Sequence, residues 1–163
     1  MNHEVNKMSI ETYQFLLDKF KNDKRILQMK QYKQHGSGTT YDHVVHVAEM
    51  SGKIAKHFKI DELTLIRGIF LHDYFLYHIS GKGMKHGFSH PKIALENALK
   101  DFELNHKEQN MIRSHMFPLT LFHIPTCKES WILTLSDKLC AIEERYKYFK
   151  DKLFITKFIR KFI

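Results

Sequence analysis

The chain is short of the residues that punctuate or staple small proteins. Its 163 residues include only 3 Pro, 7 Gly and 2 Cys. Two cysteines, Cys127 and Cys140, without CxxC spacing exclude a disulfide framework and a cysteine-rich zinc site. They read as buried free thiols of a reducing compartment. No run of about 18 apolar residues is present, which excludes a membrane-spanning helix by length. The opening "MNHEVNKMSIE" lacks the apolar core of a secretory signal, so a cytoplasmic location is expected. No alternating strand pattern and no internal repeat is visible, and this points away from sheet and solenoid folds.

What is present is apolar and basic. Hydrophobic residues make up 43% of the chain and aromatic residues 13%, enough for one globular domain with a proper core. The net charge is +8, concentrated in two flanks. Between Arg145 and Ile163 seven Lys/Arg face one acid, Asp151, and between Lys19 and Lys33 six face Asp23. Such flanks read as solvated helix faces, or as attraction for nucleic acid, an anionic membrane surface or a phosphorylated ligand.

Helix punctuation is regular. Ser9 caps a predicted helix to Lys21, and the basic segment "DKRILQMKQYKQ" ends at "HGSG". A long helix is expected from Thr40 to Phe58, and Asp61 caps another from Glu62 to Tyr74. "ISGKGMKHGF" reads as a loop, with Pro91 in the first turn of a helix to Phe102. "NHKE" (Asn105 to Glu108) and "TCKE" (Thr126 to Glu129) read as capping boxes opening helices to Phe117 and Tyr148. A separate final helix is expected after Tyr148. The predicted fold is all-α.

Periodicity then shows which polar residues face inward. His43 shares a stripe with Val47, Met50 and Ile54, and Asp137 shares one with Leu133, Cys140 and Ala141. His115 follows Met111 and Ile112 at helical spacing. His72 and Asp73 close an apolar run, "LIRGIFLHD". A lone histidine on an apolar face is commonly a hydrogen-bonded core residue. Here inward His and Asp recur on several helices, and unpaired buried carboxylates are costly. A hydrogen-bonded Asp–His pair satisfies His72 and Asp73 but leaves Asp137 and the other histidines unexplained. A cation meets the needs of carboxylates and imidazoles together.

The order His43, His72-Asp73, Asp137 resembles the H…HD…D signature of the HD-domain superfamily. "HVVHVAEMSGKIAKHF" resembles its first helix, "LIRGIFLHD" its second motif and "LTLSDKLCAIEE" the helix carrying its last aspartate. His90 in "FSHPKIALENA" and His115 in "IRSHM" match two further histidines of the dinuclear branches. The core motif region spans residues 40–146, and the resemblance implies a single HD-type helical bundle over residues 1–163.

That superfamily consists mostly of metal-dependent phosphohydrolases. The resemblance implies one ion held by His43, His72, Asp73 and Asp137, and a second by His90 and His115 with Asp73 bridging. Asp73 and His72 would stand at the catalytic centre, and a metal-activated hydroxide would attack the phosphate ester. The donors are nitrogen and oxygen only, so iron, manganese, zinc, nickel or cobalt fits. The "H…HPKIALENA…H…DK" half loosely resembles the branch that cleaves symmetrical diadenosine tetraphosphate, which favours a nucleotide substrate. Lys82, Lys85, His86 and Lys138 are candidates for substrate contact. The sequence departs from many relatives after His72-Asp73, where "YFLYH" replaces a small residue followed by Lys. A di-iron oxygenase on the same scaffold and a non-catalytic module binding nucleic acid or anionic lipid are the alternatives. The tail "YKYFKDKLFITKFIRKFI" is expected to pack its large apolar residues over the core or against a second subunit, giving a homodimer. Docking to an anionic membrane interface is the competing expectation.

Overall fold

The computed structural model describes the backbone of residues 9–34, 38–79 and 83–160, and their side chains except those of residues 83–84 and 153–160. Within them run α1 (Ile10–Lys21), α2 (Lys24–Leu27) continued by a 3-10 turn (Gln28–Gln31), α3 (Thr40–Ala55), α4 (Glu62–Leu71), α5 (Gly83–Asp101), α6 (His106–Ser114) and α7 (Lys128–Arg160). No strand occurs among the described residues; Lys33 and Thr39 form an isolated bridge. The fold is an all-α bundle, as the sequence predicts.

Local chemistry sets the helix starts. Ser9 accepts from the Thr12 amide and Asp61 from the Thr64 amide. Asn105 and Glu108 form the expected capping box, and Thr39 with Asp42 forms another. Each satisfies amides that a helix start leaves without partners. The expected box at Thr126–Glu129 is not what Glu129 makes. Its carboxylate crosses to the Asp61 amide at 3.0 Å, tying the start of α7 to the start of α4.

α4 is the centre of the bundle. Leu65, Ile66, Ile69, Phe70 and Leu71 are fully buried, so this helix is apolar nearly all round, as a core helix must be. It packs against α1, α3, α5, α6 and α7, and Phe70 stacks on Phe20 with centroids 5.8 Å apart. Gly68 allows α6 to approach closely: a Cβ there would lie 2.4 Å from Met111 Cε and 3.1 Å from Met111 Cβ. Met111 is itself fully buried and has no room to retreat. Gly68→Val is therefore expected to destabilise the fold by about 1–3 kcal/mol through overpacking, measured as a lowered thermal midpoint; an unchanged midpoint would mean that this contact yields without cost.

Besides α3 stopping at Ala55 rather than Phe58 and α6 at Ser114 rather than Phe117, three boundaries differ from the sequence reading. First, α4 stops at Leu71 rather than Tyr74, and His72 is its C-cap. His72 to Phe75 form a turn, and Leu76 follows at φ 52°. Second, the expected "ISGKGMKHGF" loop is helical from Gly83, and Pro91 lies inside α5 rather than in its first turn. The missing proline amide removes one ladder bond. In the same stretch the Ser89 hydroxyl and His90 Nδ1 donate to the carbonyls of Lys85 and His86. Each glycine costs a helix only about 1 kcal/mol, and Gly87 lets Leu119 pass, since a Cβ there would meet Leu119 Cδ2 at 3.2 Å. Third, α7 runs unbroken through Tyr148 to Arg160, so among the described residues no separate final helix follows Tyr148. No glycine or proline follows Pro125 to interrupt it.

Candidate metal centre

Five elements deliver polar side chains to one buried point beneath α4. His43 comes from α3, His72 and Asp73 from the turn closing α4, His90 from α5, His115 from the end of α6 and Asp137 from α7. All six are buried. The turn at His72–Asp73 explains why two neighbours in sequence reach the same centre, which helical spacing would forbid.

Asp73 stands in the middle and divides its two oxygens. Oδ2 lies 3.8 Å from His43 Nε2 and 3.6 Å from His72 Nε2. Oδ1 lies 3.2 Å from His90 Nε2 and 3.7 Å from His115 Nε2. Two donor sets result, His43/His72/Asp73 and Asp73/His90/His115, each with its ligand atoms within 4.8 Å of one another. Asp137 Oδ1 joins the first side, 3.0 Å from His43 Nε2 and 3.8 Å from His72 Nε2.

The far nitrogens fix the tautomers. Nδ1 of His72, His90 and His115 lies 2.6, 2.9 and 2.8 Å from the carbonyls of Ile69, His86 and Ile112. A carbonyl only accepts, so these nitrogens carry the protons and each Nε2 presents a lone pair inward. His90 Nε2 and His115 Nε2 are only 2.8 Å apart, two lone pairs facing each other without a proton of their own. His72 Nε2 is buried with no hydrogen-bond partner. A cation resolves both conflicts at once, and neutral imidazoles with ionised carboxylates are the donors a divalent metal takes. The donor set fits a divalent metal.

Electrostatics divide the two sides: without a metal, burial acts downward on His43 and His72 but the carboxylates raise both, favouring protons that a bound cation would displace. Burial pushes the Asp73 carboxyl up, but the His72, His90 and His115 rings around it hold it well below the usual range. Asp137 is lowered too: burial pushes it up, but its hydrogen bond to His43 and the nearby His72 ring outweigh that. For His43 burial acts downward, and Asp137 and Glu144 at its two nitrogens still raise it to about 10. Burial, then the neighbouring His72 and His90, lowers His115 to about 3. Carboxylates outweigh their desolvation on the His43 side, whereas His115 stays neutral and ready to donate a lone pair.

Several contributors stand outside the candidates read from the sequence. Glu144 lies 3.0 Å from His43 Nδ1 and 3.0 Å from His46 Nδ1, orienting the first ring. Extending the Asp137 stripe by two turns reaches Glu144, so the signal was there. Gln34 Nε2 donates to Asp73 Oδ2 at 2.6 Å, and no periodicity announces it. The unusual "YFLYH" builds an aromatic wall: Phe75 lies edge-on to His86, which stacks on His90 at 4.5 Å, and Tyr77 Oη meets His86 Nδ1 at 2.9 Å.

Above the donors opens a pocket of about 600 Å³. Asp73, His90, His115 and Asp137 line its polar end, and Met116, Pro118, Leu119 and Ala141 its apolar walls. His86, Lys138 and Arg145 also line it. Lys138 Nζ donates to the His115 carbonyl at 2.9 Å, and burial lowers its pKa. Of the other expected substrate contacts, Lys85 is exposed and outside the lining, and Lys82 lies outside the described residues.

The sequence profile of the family described as HD domain matches residues 40–142. This chain belongs to the HD-domain family. The matched stretch of this HD domain carries all six clustered residues, from His43 to Asp137. No curated protein and no solved structure matches the chain. No helix among the described residues is long and apolar enough to cross a membrane.

Proposed function

We propose that this HD-domain protein is a metal-dependent phosphohydrolase acting on a small phosphorylated substrate, a nucleotide by preference. The observation that carries the reading is the convergence of four imidazole Nε2 atoms on both oxygens of Asp73, at the polar end of the pocket. In this reading His43, His72, Asp73 and Asp137 hold one divalent ion and His90 and His115 a second, with Asp73 shared. Such ions, when bound, clamp phosphoryl oxygens and make a water nucleophilic at neutral pH. Iron, manganese, zinc, nickel and cobalt all suit nitrogen and oxygen donors of this kind.

The chain's own residues do the rest. Carbonyls of Ile69, His86 and Ile112 hold three rings in the donating tautomer, and Glu144 orients the fourth. Such outer contacts sharpen metal affinity. Lys138 and Arg145 supply positive charge beside the site for phosphate, and Met116, Pro118 and Leu119 offer apolar surface to a nucleobase. His86, held by Tyr77, borders the second ion's ligands. The whole of residues 1–163 acts as one HD-type domain in this proposal. A reducing cytoplasm suits it, since both cysteines are free and burial, with Glu144 and Glu143 nearby, raises the Cys140 thiol to about 12.

Protein purified without chelators, analysed for metals and assayed on a panel of phosphate esters, tests the proposal. Bound divalent metal and phosphate release from nucleotides, lost on chelation and restored by metal, are expected. Oxygen consumption by the iron-loaded protein without phosphate release from any ester would replace it with an oxygenase. Metal-free protein inert towards every ester after metal loading would reduce it to a binding module.

A further inference from the structure

α7 is apolar on two opposite faces. Leu133 and Cys140 are buried against the bundle. On the outer side Trp131, Leu135, Leu139, Ile142, Tyr146 and Phe149 form a second stripe, with Trp131 49%, Ile142 66%, Tyr146 70% and Phe149 61% exposed. Of the expected packing over the core or against a second subunit, the first fails for Phe149, which faces away from the core; Leu153, Phe154, Phe158, Ile159 and Phe162 lie beyond the described side chains. A helix apolar on both sides is built to lie between two layers. Among the described residues only one layer covers it.

We propose that the outer stripe of α7 is a self-association surface, occupied by α7 of a second copy running antiparallel to it. Three observations select this occupant. Leu135, Ile142 and Phe149 recur at seven-residue spacing, the period that keeps a straight seam facing another helix. The stripe is also self-complementary when reversed. In one register Leu135 of one copy falls opposite Tyr146 of the other and Leu139 opposite Ile142, with the two-fold axis between Cys140 and Ala141; Trp131 and Phe149 lie one residue out of level at the ends of the seam. Four side chains find partners at once, as an isologous contact requires.

Area is the third observation. Aromatic side chains carry about 150–250 Å² each, so six residues at these exposures leave roughly 600 Å² open. The neighbouring segment, held by Phe117 edge-on to Trp131 at 5.6 Å, carries exposed Leu121 and Phe122. Together they approach the ~800 Å² per partner of a standard interface. The antiparallel sense also separates the basic ends, so Arg145, Lys147 and Lys150 of one copy do not oppose their equivalents. A lipid surface is less suited, because the stripe is narrow and exposed Glu143 lies beside it. The same helix lines the pocket through Lys138, Ala141 and Arg145, so the second copy would border the substrate entrance.

Sedimentation equilibrium of the full chain, with charge variants, tests the proposal. The wild type should sediment at twice its 19.5 kDa at micromolar concentration. Leu139→Lys and Ile142→Glu, both at exposed positions, should each give folded monomers by circular dichroism. Combining the two should restore the dimer, because the register sets position 139 of one copy against position 142 of the other. A monomeric wild type, or dimers indifferent to both single changes, would overturn the proposal. So would a wild type that is monomeric alone but floats with phosphatidylserine vesicles, which would assign the stripe to lipid. Single variants that monomerise without rescue by their combination would overturn the register.

Discussion

Asp73→Ala is expected to abolish turnover and to strip the protein of nearly all bound metal while leaving the helical content intact. The reason lies in the division of its oxygens. Oδ2 serves the His43 and His72 side and Oδ1 the His90 and His115 side, so a single change removes the only carboxylate common to both donor sets. What remains are four imidazoles and Asp137, and the ring pair at 2.8 Å then has no anion beside it. Two divalent ions would bring four positive charges into a buried centre, where uncompensated charge is costly. Asp73→Asn should do almost the same, although it keeps the shape and can still accept from Gln34. Charge is the operative property in this argument. Elemental analysis beside circular dichroism checks it, and two metal equivalents retained in either variant would refute the shared-carboxylate reading.

The centre was more legible than its surroundings. His43 and Asp137 declare themselves because each shares a stripe with apolar neighbours on a long, regular helix. His72 and Asp73 declare themselves differently, as adjacent polar residues closing an apolar run, and the end of α4 at Leu71 supplies the turn that lets both face inward. Gln34 was not legible, because it follows a 3-10 turn outside any period and reaches Asp73 across 39 residues of sequence. The start of α5 was misread for a related reason. Glycine punctuates a chain weakly, and the packing of His86 and His90, one turn apart against Phe75, outweighs the glycine penalty in that stretch. At Glu129 the capping pattern was sound as local chemistry, but tertiary contact with Asp61 took the carboxylate. Local signals therefore located the side chains that cluster, and long-range contacts decided what surrounds them.

His115→Ala should separate the two halves of the site. The His43, His72 and Asp137 side keeps its donors, so about one metal equivalent should remain bound while the second is lost. Turnover should fall steeply, because one of the two ions proposed to activate the nucleophile would be gone; His90→Ala should behave alike. A change in fold alone would not produce this halved stoichiometry. The pH dependence of stability gives an independent readout in chelated protein. Burial and the neighbouring His72 and His90 hold His115 down at about 3, against an ordinary value of 6.5. Below about pH 6.5 the unfolded chain therefore takes a proton that the folded chain refuses, so His115 costs stability increasingly as pH falls towards 3. Its removal should flatten that acid limb. His43 carries the opposite sign. Its value is raised to about 10, so its contribution is present below pH 6.5 and lost as pH rises towards 10, and the His115 variant should retain that alkaline loss. Full activity with a single ion in both His90 and His115 variants would make the centre mononuclear and leave these rings as structural residues beside it.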